Sequence, residues 1–161
     1  MAPPSSTNDD RPRHRGAASH RPRILVVEDD RDFAEVVRFE LETGGYEVDV
    51  TSSVTEAKQW MRTASLDLVI SDVNLGGPSG IELLFPEPSA EAPPAVLMMS
   101  GFVSPPLRHL VEEKGALLIE KPFSFGRLHA SVIGALSKTR RVREASAARE
   151  DTAPHREPTA A

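Results

Sequence analysis

The stretch ILVVEDDRDFAEVVRFELETGGYEVDVTSS, residues 24–53, decides the fold. It opens on Ile24–Val27, apolar and mostly β-branched, and the acids Glu28, Asp29 and Asp30 end the run. A short apolar run bounded in this way predicts a strand covered on both faces. Asp32 and Glu35 then stand at capping-box spacing, and Phe33, Val36, Val37 and Leu41 share one face of a helix. Gly44-Gly45 ends that helix, since glycine enters the left-handed backbone region without a Cβ clash. Tyr46, Val48 and Val50 alternate with polar residues and predict a half-exposed second strand. Strand, helix and strand follow one another within a single βαβ length, so the two strands are expected to run parallel.

The same alternation continues downstream. Ser53 and Glu56 form another capping-box spacing ahead of Ala57, Trp60 and Met61, and Asp67–Asp72 reads as the third strand. Gly80–Phe85 supports less than two turns of helix before Pro86 and Pro88 stop it. Ala95–Met99 is the fourth strand, and Ser104-Pro105-Pro106 opens a helix carrying Leu107, Leu110 and Val111 that Gly115 closes. Ala116–Ile119 is the fifth strand. After Lys121-Pro122, Ser124 caps a last helix bearing Leu128, Val132, Ile133 and Leu136. Five strand–helix repeats predict an α/β domain: a parallel sheet with helices on both faces and right-handed crossovers. Trp60, Met61, Met98 and Met99 are assigned to its core.

Composition narrows the class. The 161 residues carry a net charge of -5, unevenly spread: residues 24–137 hold eight basic and eighteen acidic side chains, whereas both ends are net basic. An acidic body argues against nucleic-acid binding by the folded part, because phosphate contacts need a basic face. No apolar run approaches the roughly 20 residues needed to span a bilayer, and the N-terminus lacks the apolar core of a signal peptide. The absence of cysteine excludes disulfide scaffolds and thiol nucleophiles and fits a cytoplasmic setting. Residues 1–22, basic and rich in Pro, Arg and Ser, are expected to be a disordered tail. Residues 23–138 are expected to fold, and 139–161 to form a second disordered tail after at most a turn or two of helix.

In a parallel sheet of this kind, ligands bind beyond the carboxyl ends of the strands. Those ends carry Glu28-Asp29-Asp30, Asp72, Ser100 and Lys121. Crowded carboxylates are tolerable around a divalent cation, and hard oxygen donors suit Mg²⁺. Lys121 and Ser100 suit phosphoryl oxygens, which leaves Asp72 as the natural nucleophile for an acyl-phosphate. Plainer roles compete: aspartates at strand ends often cap helices, the expected role of Asp30 or Asp32, and Ser100-Gly101 is a common turn pair. None of His14, His20, His109, His129 and His155 stands at ligand or catalytic spacing. No glycine-rich nucleotide motif follows a strand.

Four segments together, VVEDD (26–30), ISDVNLGGPSG (70–80), LMMSG (97–101) and EKPF (120–123), resemble the receiver domain of bacterial two-component response regulators, and especially receivers associated with hybrid sensor kinases. The resemblance implies a flavodoxin-like, doubly wound five-stranded parallel sheet, (βα)5, in a single domain with disordered termini. It implies Asp72 as phosphoacceptor, and Mg²⁺ held by Asp29, Asp72 and the Asn74 backbone carbonyl, with Glu28 acting through water. Ser100 and Lys121 would bind the phosphoryl group, and Pro122 would follow a cis peptide bond. Three features depart from the family pattern. Leu118 replaces the aromatic usual three residues before the lysine, which removes the customary switch residue and leaves Phe102 as a partial substitute. Gly76 stands where proline is usual, so the loop after Asp72 is expected to be looser. The third helix is cut short by prolines.

The implied function is that of a phosphorelay protein. It takes a phosphoryl group from a histidine kinase or histidine phosphotransfer protein and signals through protein contacts, without direct DNA binding, membrane association or enzymatic turnover beyond slow loss of its own acyl-phosphate. About 115 residues make the domain, and the tails are too short for an output domain, so a stand-alone receiver is expected. The alternatives are a receiver-like binding module that no longer switches by phosphate and a metal-dependent phosphohydrolase. The latter usually places Asp-x-Asp after its first strand, where Glu28-Asp29-Asp30 stands here.

Overall fold

In the interior strand β1 (Arg23–Val27), alternate side chains enter two different cores, and helices on both faces of the sheet follow from that alternation. The computed structural model describes residues 20–87 and 93–150. Along the chain come α1 (Arg31–Thr43), β2 (Glu47–Thr51), α2 (Val54–Thr63), β3 (Leu68–Asp72), a 3-10 helix (Gly80–Leu84), β4 (Ala95–Ser100), α3 (Pro105–Glu113), β5 (Leu117–Glu120) and α4 (Phe125–Glu150). The five strands are all parallel in the order β2-β1-β3-β4-β5, the doubly wound arrangement expected from the repeats. The order reverses between β1 and β3, which places a cleft beyond their carboxyl ends.

Ile24, Val26, Leu68, Ile70, Leu97 and Met99 point to one face, where α1 and α4 cover them with Val37, Leu41, Leu128 and Val132. Leu25, Val27 and Val69 point to the other, under α2 and the 3-10 helix. Met98 joins Val111 of α3 in a third cluster on that side. Each fully buried aliphatic side chain contributes about 1.5–3 kcal/mol, so this two-sided burial is the main source of stability.

Two helices bury a slightly different stripe from the one the apolar residues suggest. In α1 the buried positions are Ala34, Val37 and Leu41, while Val36 is 47% exposed. In α4 Ala135 is buried in place of Ile133, which is 58% exposed. The stripe is set by closeness to the sheet, and alanine permits the closest approach. The cap of α1 is Asp30, not Asp32: its carboxylate accepts the Phe33 N–H at 3.0 Å. Asp30→Ala should cost about 1 kcal/mol, read from the urea midpoint at unchanged slope. At α2 the expected Ser53 cap forms, but Glu56 does not reach back to the Ser53 N–H. Thr51 intervenes, taking that N–H and donating its hydroxyl to Glu56.

The segment after β3 is a 3-10 helix and not an α-helix, consistent with five residues halted at Pro86; Pro88 lies outside the described residues. The last helix departs most from expectation. It runs through residue 150, across the boundary expected at 138. Residues 139–150 contain good helix formers and no glycine or proline, Arg140 pairs with Glu144 one turn on, and Arg143 bonds Asp67 Oδ1 at 2.9 Å and the Leu66 carbonyl at 3.2 Å. The expected tail at 1–22 lies outside the described residues through residue 19, as does 151–161. Among the described residues no helix is long and apolar enough to cross a membrane.

Candidate functional site

The site assembles where β1, β3, β4 and β5 end. Glu28 directly follows β1 and is 3% exposed; its backbone N–H donates to the Thr51 carbonyl at 3.0 Å, which continues the β1–β2 ladder by one bond. Asp72 is the last residue of β3 and 8% exposed. Lys121 follows β5; its backbone N–H donates to the Ser100 carbonyl at 2.8 Å, and the Lys121–Pro122 peptide is cis. These anchors bring the Lys121 ammonium between two carboxylates. It donates to Glu28 Oε2 at 2.8 Å and to Asp72 Oδ2. The remaining Asp72 oxygen accepts the Asn74 N–H at 2.8 Å, and Glu28 Oε1 accepts the Asp30 N–H at 3.2 Å.

Burial pushes the Glu28 carboxyl above its ordinary value, against the opposing pull of Lys121 and the Asp30 N–H. Burial alone would lower the Lys121 ammonium. Its hydrogen bonds to Asp72 and Glu28, with their charges, outweigh that and hold it above the ordinary lysine value. The lysine is therefore a fixed positive charge beside Asp72.

Asp29 and Asn74 are exposed at the mouth of the same cleft. The Asp29 carboxylate lies against Gly76, where an added Cβ would come within 3.2 Å of Oδ2. Gly76 has φ +59°, left-handed backbone that proline, locked near -65°, cannot adopt. The glycine thus serves a defined turn, where the sequence alone suggested only a looser loop. Asp29 and Asn74, exposed, and Asp72, largely buried, supply hard oxygen donors along the same strand-end cleft. Among the described residues no three acids or histidines are gathered into a ready-made cage. Mg²⁺ needs none, since it keeps several waters and takes one or two carboxylates, so the donor set fits it.

Ser100 closes β4 and is 1% exposed, but its hydroxyl is engaged within its own turn. It donates to the Phe102 carbonyl at 2.6 Å and accepts the Phe102 N–H at 3.2 Å. The Phe102 ring is 74% exposed. Leu118 packs instead with Met98, Val111 and the inner side of α3. The two candidate switch residues therefore do not share a site.

Residues 24–133 match the response regulator receiver domain. The chain belongs to this family. It is 34% identical over 123 residues to the phosphate regulon transcriptional regulatory protein PhoB of Rhizobium meliloti, covering 74% of this chain and 54% of PhoB. It is 29% identical over 131 residues to the transcriptional regulatory protein FixJ of Bradyrhizobium diazoefficiens, covering 81% of this chain and 64% of FixJ. The chain thus spans less than two thirds of the length of these relatives. Among solved structures, the signal receiver domain of a putative LuxO repressor protein from Vibrio parahaemolyticus superposes with a TM-score of 0.67 at 25% identity, over 78% of this chain and 97% of that one. The non-phosphorylated HemR receiver domain from Leptospira biflexa gives 0.64 at 27% identity, over 73% and 95%. A receiver domain is a signalling module of two-component systems.

Three contributors to this receiver site escaped the sequence reading. Thr51 ties Glu28 to β2 through its carbonyl, and Gly80 lies directly beneath Asp72. Phe33 was assigned to the helix's apolar face, yet its ring lies beneath the Lys121 ammonium. Its position three residues after the acidic run was the one available hint.

Proposed function

We propose that this receiver accepts a phosphoryl group on Asp72 from a phosphohistidine of a histidine kinase or histidine phosphotransfer protein. The observation that carries the reading is the pairing of the buried Asp72 carboxylate with Lys121 at the cleft mouth. An Asp72 oxygen attacks phosphorus in line, an O–P bond forms, and the N–P bond to the donor imidazole breaks, its electron pair staying on the departing nitrogen of a ring that carries its proton on the other nitrogen. Lys121 stands ready to neutralise the charge that moves onto the phosphoryl oxygens, its ammonium already lying beside Asp72. Asp29, Asp72 and the Asn74 carbonyl would hold Mg²⁺, with Glu28 behind through water. Mg²⁺ supplies charge neutralisation on the transferring group. Ser100 must give up its bond to the Phe102 carbonyl to reach a phosphoryl oxygen, which couples the site to the β4–α3 loop.

Output passes through the surface of α3, β5 and α4 to a partner protein, and the excess of acids over 24–137 disfavours DNA contact by the domain itself. The chain turns nothing over beyond slow hydrolysis of its acyl-phosphate. Incubation with acetyl phosphate and Mg²⁺, followed by intact-mass measurement, tests the reading. A single phosphoryl adduct that is labile to hydroxylamine supports it, and an unmodified chain sinks it. Asp29→Asn should raise the Mg²⁺ concentration for half-maximal labelling about tenfold or more, since it removes one of two carboxylate donors. An unchanged Mg²⁺ requirement would take Asp29 out of the donor set.

A further inference from the structure

Phe33 is half-buried in the first turn of α1, and the Lys121 Nζ stands 4.3 Å from the centre of its ring. Phe123 meets the same ring edge-on, the centroids 6.0 Å apart and the planes at 62°. Both rings pack against the core shared by α1, α4 and the sheet, so the aromatic surface cannot drift. An ammonium has three N–H donors. Two go to Glu28 and Asp72, and the ring faces the charge from another side.

We propose that Phe33, braced by Phe123, is a positioning residue that holds the Lys121 ammonium over the phosphoacceptor by a cation–π contact. This rests on the reading of Asp72 as phosphoacceptor. As the O–P bond forms, Lys121 must exchange its carboxylate partner for a phosphoryl oxygen. A hydrogen-bonding neighbour would compete for an N–H at that moment. A π face attracts the charge without fixing the direction of any N–H, so the ammonium turns in place. An aliphatic side chain fills the same space with no attraction for charge, so the ammonium loses the one contact that does not compete for its N–H donors and is held less well as its carboxylate partner is exchanged.

The test compares the wild-type chain with Phe33→Leu and Phe33→Tyr, with Phe33→Met in reserve if the leucine variant does not fold. Initial labelling rates are measured against acetyl phosphate concentration at saturating Mg²⁺, and the Lys121 ε-methylene protons are followed by NMR. The leucine or methionine variant should lose roughly three- to tenfold in rate. Its Mg²⁺ requirement should not change, and the upfield ring-current shift on Lys121 should disappear. Phe33→Tyr, which keeps the π face, should restore both rate and shift. Wild-type rates in the leucine variant would overturn the role of Phe33. So would equal losses in the leucine and tyrosine variants, which would mark a packing effect alone. A wild-type chain that takes no label would instead sink the phosphoacceptor reading, and the role with it.

Discussion

Asp72→Asn should reduce labelling by acetyl phosphate and Mg²⁺ to background, at least about a hundredfold below the wild-type chain. The substitution keeps the shape of the side chain and removes its nucleophilic charge. It also disturbs the local bonds: Asp72 receives donors on both oxygens, from Lys121 and from the Asn74 N–H. An amide offers one acceptor and one donor group, so one of those two partners must face an NH₂. Lys121 keeps Glu28 at 2.8 Å, so the ammonium is not orphaned and the fold should hold, as far-UV circular dichroism would verify. Labelling of the asparagine variant at the wild-type rate would place the phosphoacceptor elsewhere in the chain.

Gly80→Ala should have the largest effect on stability. A Cβ at residue 80 would lie 2.0 Å from the Asp72 carbonyl oxygen and 2.5 Å from Ser71 Oγ. The nearest obstacle is backbone and not the end of a flexible side chain, so relief requires moving the chain itself. That chain is firmly held: the Gly80 N–H donates to the Val73 carbonyl at 3.1 Å, the Ser79 hydroxyl donates to the same oxygen at 3.0 Å, and the Ser71 hydroxyl donates to the Asp72 carbonyl at 2.9 Å. The expected cost is about 3 kcal/mol or more, a fall in melting temperature of roughly 10–20 °C for a domain of this size. Because the displaced atoms belong to Asp72, labelling should fall as well. Gly77→Ala, whose Cβ would meet nothing closer than 3.8 Å, is the control and should stay near wild type. A Gly80→Ala variant within 0.5 kcal/mol of wild type, roughly the range of neutral surface changes, would refute this account of the turn.

Much of the scaffold was legible because it depends on features that chemistry writes locally. Buried parallel strands need continuous apolar residues, and Ile24–Val27 and Ala95–Met99 supply them within a residue of the observed bounds. The charged strand ends were legible for the same reason: a carboxylate such as Asp72 or an ammonium such as Lys121 stands out against apolar neighbours. What the residues did not disclose depends on distance. Periodicity places a helix stripe to within about one position, which is why Val36 was preferred to Ala34. The Ser100 hydroxyl has equally good partners in a phosphoryl group and in its own turn, and only the geometry of the β4–α3 loop decides between them. Phe33 looks like any core aromatic until the β5–α4 loop brings Lys121 over it.

The reach of α4 has a dynamic consequence. Up to Ala135 the helix is sealed against the sheet by Leu128 and Val132, and its hydrogen bonds open only when the core does. Beyond that point no described side chain is buried: Leu136 still packs against the core, and Arg143 is tied to the loop before β3. One continuous rod thus spans two environments, and amide exchange should be slowest along the portion up to Ala135 and faster along the exposed turns beyond it.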